Sequence, residues 1–518
     1  MKRKEVELMA LSDAQIKALR KGAAGRKRRI VFHSDGQPIE RILAHAVGTR
    51  VDTCTYSLVH QFNLSRLYRT AVGQEWPPEG IELDDKGRDG LQIYLEFCRE
   101  NNFEAFWAMR MNDTHDAGDY EDARWKIANN KLKQEQPDWL VGTQEDLPPH
   151  GRWTSVNYGR PEIRDQAFRL WEDVARRYDI DGFMFDFFRH PTLFRSAAWG
   201  EEVSDAERES MTDLMRRTRA MTDEIGAERA RPILLSVRTP DSVGYCNGMG
   251  IQIEKWMAED LIDIWIPGGY FRLQEWSESV ALGHRYGVQV WAALDECRVQ
   301  SPLPQLTEVS RHLECELSAA SSVTPPFSVV RNSLEAYRAR SVNALNAGAD
   351  SVYFFNLTRW QILHDLGDPD TFAHLNKVYC PVFRGRQAMD AGYWLKDGDR
   401  FYTRPGVFSP EDPHTLNAGE FLEIDLTVGD DLASARACGF RPRATLCLQA
   451  EALTDAGDVS ITFNGNPLVC TGLTDVWATY TVNPRKVKKG SNRIEIAHNA
   501  PGGDALTLCD LQLWIEYE

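Results

Sequence analysis

No apolar stretch of this sequence is long enough to span a bilayer. The amino terminus, MKRKEVELMALSDAQ, carries positive charge but no apolar core of signal-peptide length. The chain as read is therefore expected to be cytoplasmic, with no membrane association; a secretion signal trimmed from the sequence would be compatible with the same reading. Ten cysteines are scattered, with no CxxC pair and no His-Cys cluster. That argues against a zinc framework and a disulfide scaffold, and predicts free thiols in a reducing compartment. Basic residues are the minority, 60 against 76 acidic ones, for a net charge of −16. A polyanion such as nucleic acid is disfavoured as a partner by that balance and by the lack of a basic face. Low-complexity tracts and repeats of solenoid period are also missing, and no cofactor is expected.

What is present is a globular composition, 42% hydrophobic and 26% charged over 518 residues, long enough for two domains. Fifteen Trp and sixteen Tyr supply polar-edged aromatic surface of the kind that stacks on sugar rings or nucleobases. Ser12 to about Gly22 predicts a short helix, with Ser12 and Gln15 spaced as a capping box. A strand-helix rhythm then runs for more than three hundred residues. Strands are expected at Ile30 to His33, near Arg50 to Tyr56, at Glu104 to Met109 and in the apolar run ending at Asp186. Four more follow at Ile233 to Val237, Ile262 to Ile266, Val288 to Leu294 and Ser351 to Phe355. Helical periods lie between them, among them Gly90 to Asn101, Ile163 to Tyr178, Asp205 to Ile225 and Ser333 to Ala347. Eight such strands predict a (β/α)8 TIM barrel over residues 30–399, preceded by a helix and linker over 1–29. After about Arg400, short alternating segments separated by turn clusters such as NGN and PGGD predict a β-sandwich of jelly-roll type over 400–518. Such a module binds carbohydrate or braces the barrel.

The barrel reading centres on Asp179 to Pro191, DIDGFMFDFFRHP. A short continuous apolar run is how a buried parallel strand reads, and polar residues at its carboxyl end would sit at the functional face of a barrel. An acid, a guanidinium and an imidazole, Asp186, Arg189 and His190, share five positions at that exit. The plainer reading of Asp186 is a cap on the following turn. Other strand exits would bring His33 and Asp35, Arg110 with Asn112, Asp113 and His115, then Arg238, Tyr270, Asp295, Glu296 and Asn356 to the same mouth. Glycoside hydrolysis needs two carboxyl groups flanking the scissile bond. Asp186 and one of Asp295 or Glu296 are the expected pair, only one member of the latter two facing inward. Asn112 and Asp113 would bind sugar hydroxyls, and His115 would be a donor or an auxiliary acid-base. Arg110, Arg189 and Arg238 would either bind an acidic or sulfated sugar or clamp the catalytic carboxylates. Trp107, Trp265 and Trp291 fall within strands and read as packing; Trp153 is a candidate sugar platform.

DGFMFDFFRHP resembles the DGxxFDxxRxP segment of the glycosyl-hydrolase-10-like barrel proteins, and RRIVFHSDG is similar to the first strand of bacterial members of that group. The resemblance covers roughly Arg28 to Leu375 and implies that Asp186 points into the active site with Arg189 beside it. Two departures stand out: His190 precedes the proline where an aromatic residue is commoner, and the Asn-Glu pair of many retaining glycosidases is absent. Retention or inversion is left open. The expected function is thus a glycoside hydrolase acting on an oligo- or polysaccharide fragment, with a homo-oligomer compatible with the composition. Two alternatives stand beside it. One is a metal-dependent hydrolase or lyase using His33, Asp35, Asp113 and His115, with Asp116 as a further ligand. The other is a carbohydrate-binding barrel without turnover.

Overall fold

The computed structural model describes residues 11–35, 38–60, 65–66, 72, 83–118, 130–295, 333–357, 360–381, 391–403, 408, 413–451, 453, 455–474, 477–499 and 504–518. By internal contacts the chain forms two compact units. The first, residues 1–293 with 349–358 and 389–401, holds a closed barrel of eight parallel strands: β1 (Ile30–Ser34), β2 (Val51–His60), β3 (Glu104–Arg110), β4 (Gly182–Asp186), β5 (Leu234–Thr239), β6 (Ile264–Pro267), β7 (Gln289–Ala293) and β8 (Ser351–Phe355). Each pairs with the next in sequence, and β1 pairs with both β2 and β8, which closes the ring. This is the (β/α)8 barrel that the sequence predicts.

Alternation along each strand sorts side chains between two layers. Val31, Phe106, Ala108, Met184, Leu234, Ile264, Ile266, Trp291, Ala293, Tyr353 and Phe355 form one core cluster with Ala24. The intervening residues of β4, Phe183 and Phe185, stack against each other and meet Trp107 and Trp171. Trp107, Trp265 and Trp291 are all fully buried, as packing residues should be. Gly182 leaves room for Phe106: a Cβ there would lie 2.3 Å from the Phe106 ring.

The base of the barrel solves a backbone problem. A strand that begins a parallel sheet exposes N–H groups with no ladder partner, and leaving them unbonded inside the protein is costly. Four aspartates accept them. Asp52 takes the N–H of Arg29 at 2.7 Å, Asp181 that of Ala105 at 2.8 Å, Asp263 that of Leu235 at 2.9 Å, and Asp350 that of Val290 at 2.8 Å. A basic side chain backs each acid: Arg29 on Asp52, Arg99 on Asp181, Arg20 and Arg219 on Asp263, and His284 beside Asp350. The N-terminal helix α1 (Asp13–Ala24) contributes Arg20 to this set, and it starts on the expected capping box, with Ser12 N donating to Gln15 Oε1 at 2.9 Å. Just beyond α1, Arg28 donates to both oxygens of buried Glu104, at 2.6 and 2.7 Å, and to the carbonyls of Ala23 and Ala24.

The second unit contains antiparallel sheets, as the change of texture predicts. Leu506–Tyr517 lies between Lys377–Tyr379 and Pro442–Glu451 and also pairs with His414–Leu416; Trp477–Val482 and Cys470–Leu473 extend the sheet beyond Pro442–Glu451. Phe421–Val428, Gly490–His498, Val459–Phe463 and Asn466–Pro467 form a second sheet of four. The strand Lys377–Tyr379 joins the first sheet from upstream of the alternating region; at three residues it is too short to show a period. No helix among the described residues is long and apolar enough to cross a membrane.

Two stability changes follow from this packing. Asp263→Asn removes the fully buried carboxylate that Arg20 and Arg219 share, leaving Arg20 to Asp260 and Asp223 and Arg219 to Asp223, and should cost about 3 kcal/mol in urea unfolding, the low end of the range for removing one partner of a buried ion pair. Gly182→Ala should cost about 1–3 kcal/mol by overpacking, and Phe106→Leu in the same chain should recover part of that loss, a coupling that a double-mutant cycle measures.

Candidate active site

The register of β3, β4 and β5 sets Arg110, Asp186 and Arg238 side by side at the carboxyl ends of three neighbouring strands. Asp186 is fully buried. Its Oδ1 accepts the backbone N–H groups of Phe188 and Arg189, each at 2.9 Å, so it does cap the following turn. It does more than that: Arg238 Nη1 donates to both oxygens, at 3.2 and 3.0 Å. The Arg238 guanidinium in turn lies over the rings of Phe188, Tyr353 and Phe355 at 5.2–5.8 Å. Gly269, in the loop after β6, lets this packing close, since a Cβ there would meet the Phe188 ring at 2.4 Å and Arg238 Nη2 at 2.8 Å.

A second carboxylate, Asp113, is the hub of the loop after β3. It is fully buried and bonds Arg110 and His115, with His190 Nδ1 at 3.7 Å. Burial pushes its carboxyl up, but the hydrogen bond from His115 and the Arg110 guanidinium overcome this and hold it well below the usual carboxylate range. Arg110 also grips Asp35, one residue beyond β1. Asp35 and Asn356 then bond each other twice: Asn356 Nδ2 donates to Asp35 Oδ1 at 2.5 Å, and Asp35 N donates to Asn356 Oδ1 at 3.1 Å. Asn356 takes a left-handed backbone, φ 46°, which asparagine tolerates better than most residues.

The two histidines have defined proton positions. Arg189 Nη2 donates to His115 Nε2 at 2.9 Å, so the His115 proton sits on Nδ1 and points at Asp113. Thr114 N–H donates to His190 Nδ1 at 2.8 Å, which leaves the ring proton of neutral His190 on Nε2. Burial lowers the pKa of both rings, that of His190 strongly. These contacts lace the loop after β3 to the loop after β4.

Asp113, His115 and His190 bring one ligand atom each within 4.8 Å of one another, the spacing of a metal site. Their chemistry does not fit a cation. His190 Nδ1 faces an N–H donor, His115 Nε2 faces a guanidinium, and Asp113 is already matched to Arg110. The other members of the metal reading are engaged elsewhere. Asp116 pairs with buried Lys133 at 2.8 Å, its carboxyl raised by burial against the pull of that lysine. His33 lies between hydroxyls, with Thr55 Oγ1 at 2.5 Å and Ser57 Oγ at 3.0 Å, stacked on Phe355. Asn112 holds backbone rather than facing the mouth: it donates to the carbonyls of Val156 and Thr192 and accepts from Val156 N–H.

Tyr270 stacks its ring against Arg189 at 5.6 Å. Trp153 donates to the carbonyl of Ala117. Asp295 is buried two positions beyond β7 and belongs to the second unit; Glu296 lies outside the described residues. Sequence reasoning missed the aromatic wall of Phe188, Tyr353 and Phe355 around Arg238. Alternation in β8 is the signal that could have found it, because Tyr353 and Phe355 point inward together.

No protein-family model matches the sequence, and no curated protein matches it. Solved structures do. A cycloisomaltooligosaccharide glucanotransferase from a Paenibacillus species, complexed with cycloisomaltoheptaose, is 9% identical over 94% of this chain and 57% of its own length, with a TM-score of 0.33. The PgaB (BpsB) glycoside hydrolase domain of Bordetella bronchiseptica is 10% identical over 66% of this chain and 98% of its own, with a TM-score of 0.38. A family GH18 chitinase from Chromobacterium violaceum is 12% identical over 95% of this chain and 89% of its own, with a TM-score of 0.34.

Proposed function

We propose that the barrel mouth hydrolyses a glycosidic bond in an oligosaccharide or polysaccharide fragment, with Asp186 as one essential carboxylate and Asp295 or Glu296 as its partner. The observation that carries this reading is the setting of Asp186. Two backbone N–H groups and both contacts from Arg238 fix its carboxylate at a strand exit, among aromatic rings. A carboxylate held by so many donors suits attack on, or stabilisation of, an electron-poor anomeric carbon better than proton delivery. The proton donor then comes from another strand exit, and the chain after β7 offers the acids for it. The lacing of Asp113, His115, Arg189 and His190 keeps the neighbouring wall rigid around the sugar. The two antiparallel sheets of the second unit are read as a jelly-roll-type sandwich that braces the barrel or binds glycan.

Asp186→Asn should lower kcat on any glycan the protein cleaves by about 10³-fold, within the range for losing a positioned catalytic carboxyl group; near-native turnover on a glycan panel would refute the assignment. Glu296→Gln and Asp295→Asn, assayed on the same substrates, decide the partner, since only one should match the Asp186→Asn loss.

The histidines predict a pH effect on stability. His190 is neutral in the fold and has a pKa lowered by burial. The unfolded chain protonates this ring below about pH 6.5 while the folded one does not, so the stability it contributes is full above that pH and erodes as pH falls. Buried Asp241, pushed up to about 6, acts with the opposite sign. Comparing His190→Gln, which keeps an acceptor for Thr114 N–H, with the unaltered chain isolates the His190 share. Its urea midpoint should fall less steeply between pH 7 and pH 5 (roughly the span that brackets the free-histidine pKa).

A further inference from the structure

Between β5 and β6 the chain forms two short helices, Val243–Gly248 and Ile253–Ala258, joined by a tight turn. Ser242 Oγ accepts the Tyr245 N–H at 3.4 Å where the first helix starts. At its end Ile251 N–H donates back to the Cys246 carbonyl at 2.8 Å, with Gly250 in the left-handed region at φ 89°. The turn places Asn247 and Gln252 on the wall of one cleft of about 330 Å³, which Val243, Glu254, Lys255 and Ala258 also line. None of the six belongs to the barrel mouth.

The charges in this cleft are matched by residues that do not line it. Lys255 Nζ lies 2.6 Å from Glu209 Oε2, and Glu254 Oε1 accepts from the Tyr286 hydroxyl at 2.9 Å and faces Arg285 Nη1 at 3.4 Å. The amides are not matched. Gln252 spends its carbonyl oxygen on the Thr212 hydroxyl at 2.9 Å, and its Nε2 makes no hydrogen bond among the described residues. The same holds for the whole Asn247 side chain and for Glu254 Oε2, although Asn247, Gln252 and Glu254 are all half-buried. The cleft thus sets amide donors beside carbonyl and carboxylate acceptors, with Val243 as an apolar patch. A hydroxyl both donates and accepts, so a neutral polyol meets neighbouring donors and acceptors at once, whereas a charged ligand meets Lys255 or Glu254 as a like charge.

We propose that this cleft is a non-catalytic saccharide site, separate from the mouth, that holds one neutral sugar ring. Asn247 Nδ2 and Gln252 Nε2 donate to ring hydroxyls, Asn247 Oδ1 and Glu254 Oε2 accept hydroxyl protons, and the C–H face of the ring packs on Val243. Glu254 is the one acid lining the cleft, so the pair of carboxyl groups that glycosidic cleavage needs is missing and the site anchors a glycan without cutting it. The choice of a sugar over other neutral polyols rests on the reading of the mouth as a glycan site.

The test is saturation-transfer NMR and calorimetric titration of the full chain with D-glucose, D-galactose, D-mannose and N-acetyl-D-glucosamine. At least one of the four should bind with a Kd of roughly 1 mM, the scale of a single ring held by a few neutral hydrogen bonds. The double variant Asn247→Ala with Gln252→Glu should weaken that binding about tenfold, while Asp186→Asn leaves it unchanged. Gln252→Glu keeps the acceptor for Thr212, and Asn247→Ala removes a side chain with no bond among the described residues, so both should fold, which circular dichroism checks. If the pair does not fold, Glu254→Gln, which keeps an acceptor for Tyr286, carries the test and should weaken binding several-fold. No binding of any of the four sugars, binding that survives these variants unchanged, or tighter binding of glycine or D-glucuronate than of every neutral sugar would overturn the proposal. The binding readout separates it from the hydrolytic reading. Sugar binding that depends on Asn247 and Gln252 without turnover of any glycan sinks hydrolysis alone, whereas glycan cleavage that Asp186→Asn abolishes, with no binding that depends on Asn247 and Gln252, sinks this site alone.

Discussion

Closing eight parallel strands into a ring leaves a circle of backbone N–H groups at the base without ladder partners, and the rest of the molecule depends on how those are met. Four aspartates meet them, each accepting from the neighbouring strand, and arginine or histidine side chains hold the acids in place. Buried Glu104, gripped on both oxygens by Arg28, adds a further ion pair at the same end. The base is therefore polar yet fully bonded at these positions, which is the condition under which buried charge is tolerated. With the base fixed, the register of every strand is fixed too, and the residues two or three positions past each strand arrive at the mouth in a set arrangement.

At the mouth the same economy of charge applies with a different result. Asp35, Asp113 and Asp186 are each matched to a guanidinium, while His115 and His190 are held neutral. A wall built this way is rigid and close to electrically balanced, so a ligand group that enters is judged by local geometry rather than by a broad field. It also explains why the Asp113, His115 and His190 cluster, spaced as a metal site, does not suit a cation: the positive charges that a metal would supply are already delivered by Arg110 and Arg189.

Much of the barrel was legible in the sequence because parallel strands buried on both sides read as continuous apolar runs. β8 appears over the expected residues, Ser351–Phe355, and β4 ends on Asp186 as the DGFMFD segment implies. Edges were less legible: β2 runs on past Tyr56 to His60. The acids at the base were invisible as a set, since an aspartate before or at the start of a strand reads like any turn residue. The mouth was legible only as an inventory. Sequence places Asp186 and Arg238 at two strand ends 52 positions apart, but it does not say which arginine grips which acid. Asn112 shows the limit most clearly: its type and position suggest contact with sugar hydroxyls, yet its amide is spent on the backbone of two other loops.

The base aspartates join the strands in twos: β1 with β2, β3 with β4, β5 with β6, and β7 with β8. The barrel is thus made of four staves, each a pair of strands pinned at one end. Two of the joints between staves are fastened at the opposite end instead, β4 to β5 by Asp186 with Arg238, and β8 to β1 by Asn356 with Asp35. The residues that would face a substrate are also hoops on the cask. Any ligand that drew on Asp186 or Asp35 would therefore draw on the mechanical closure of the barrel as well.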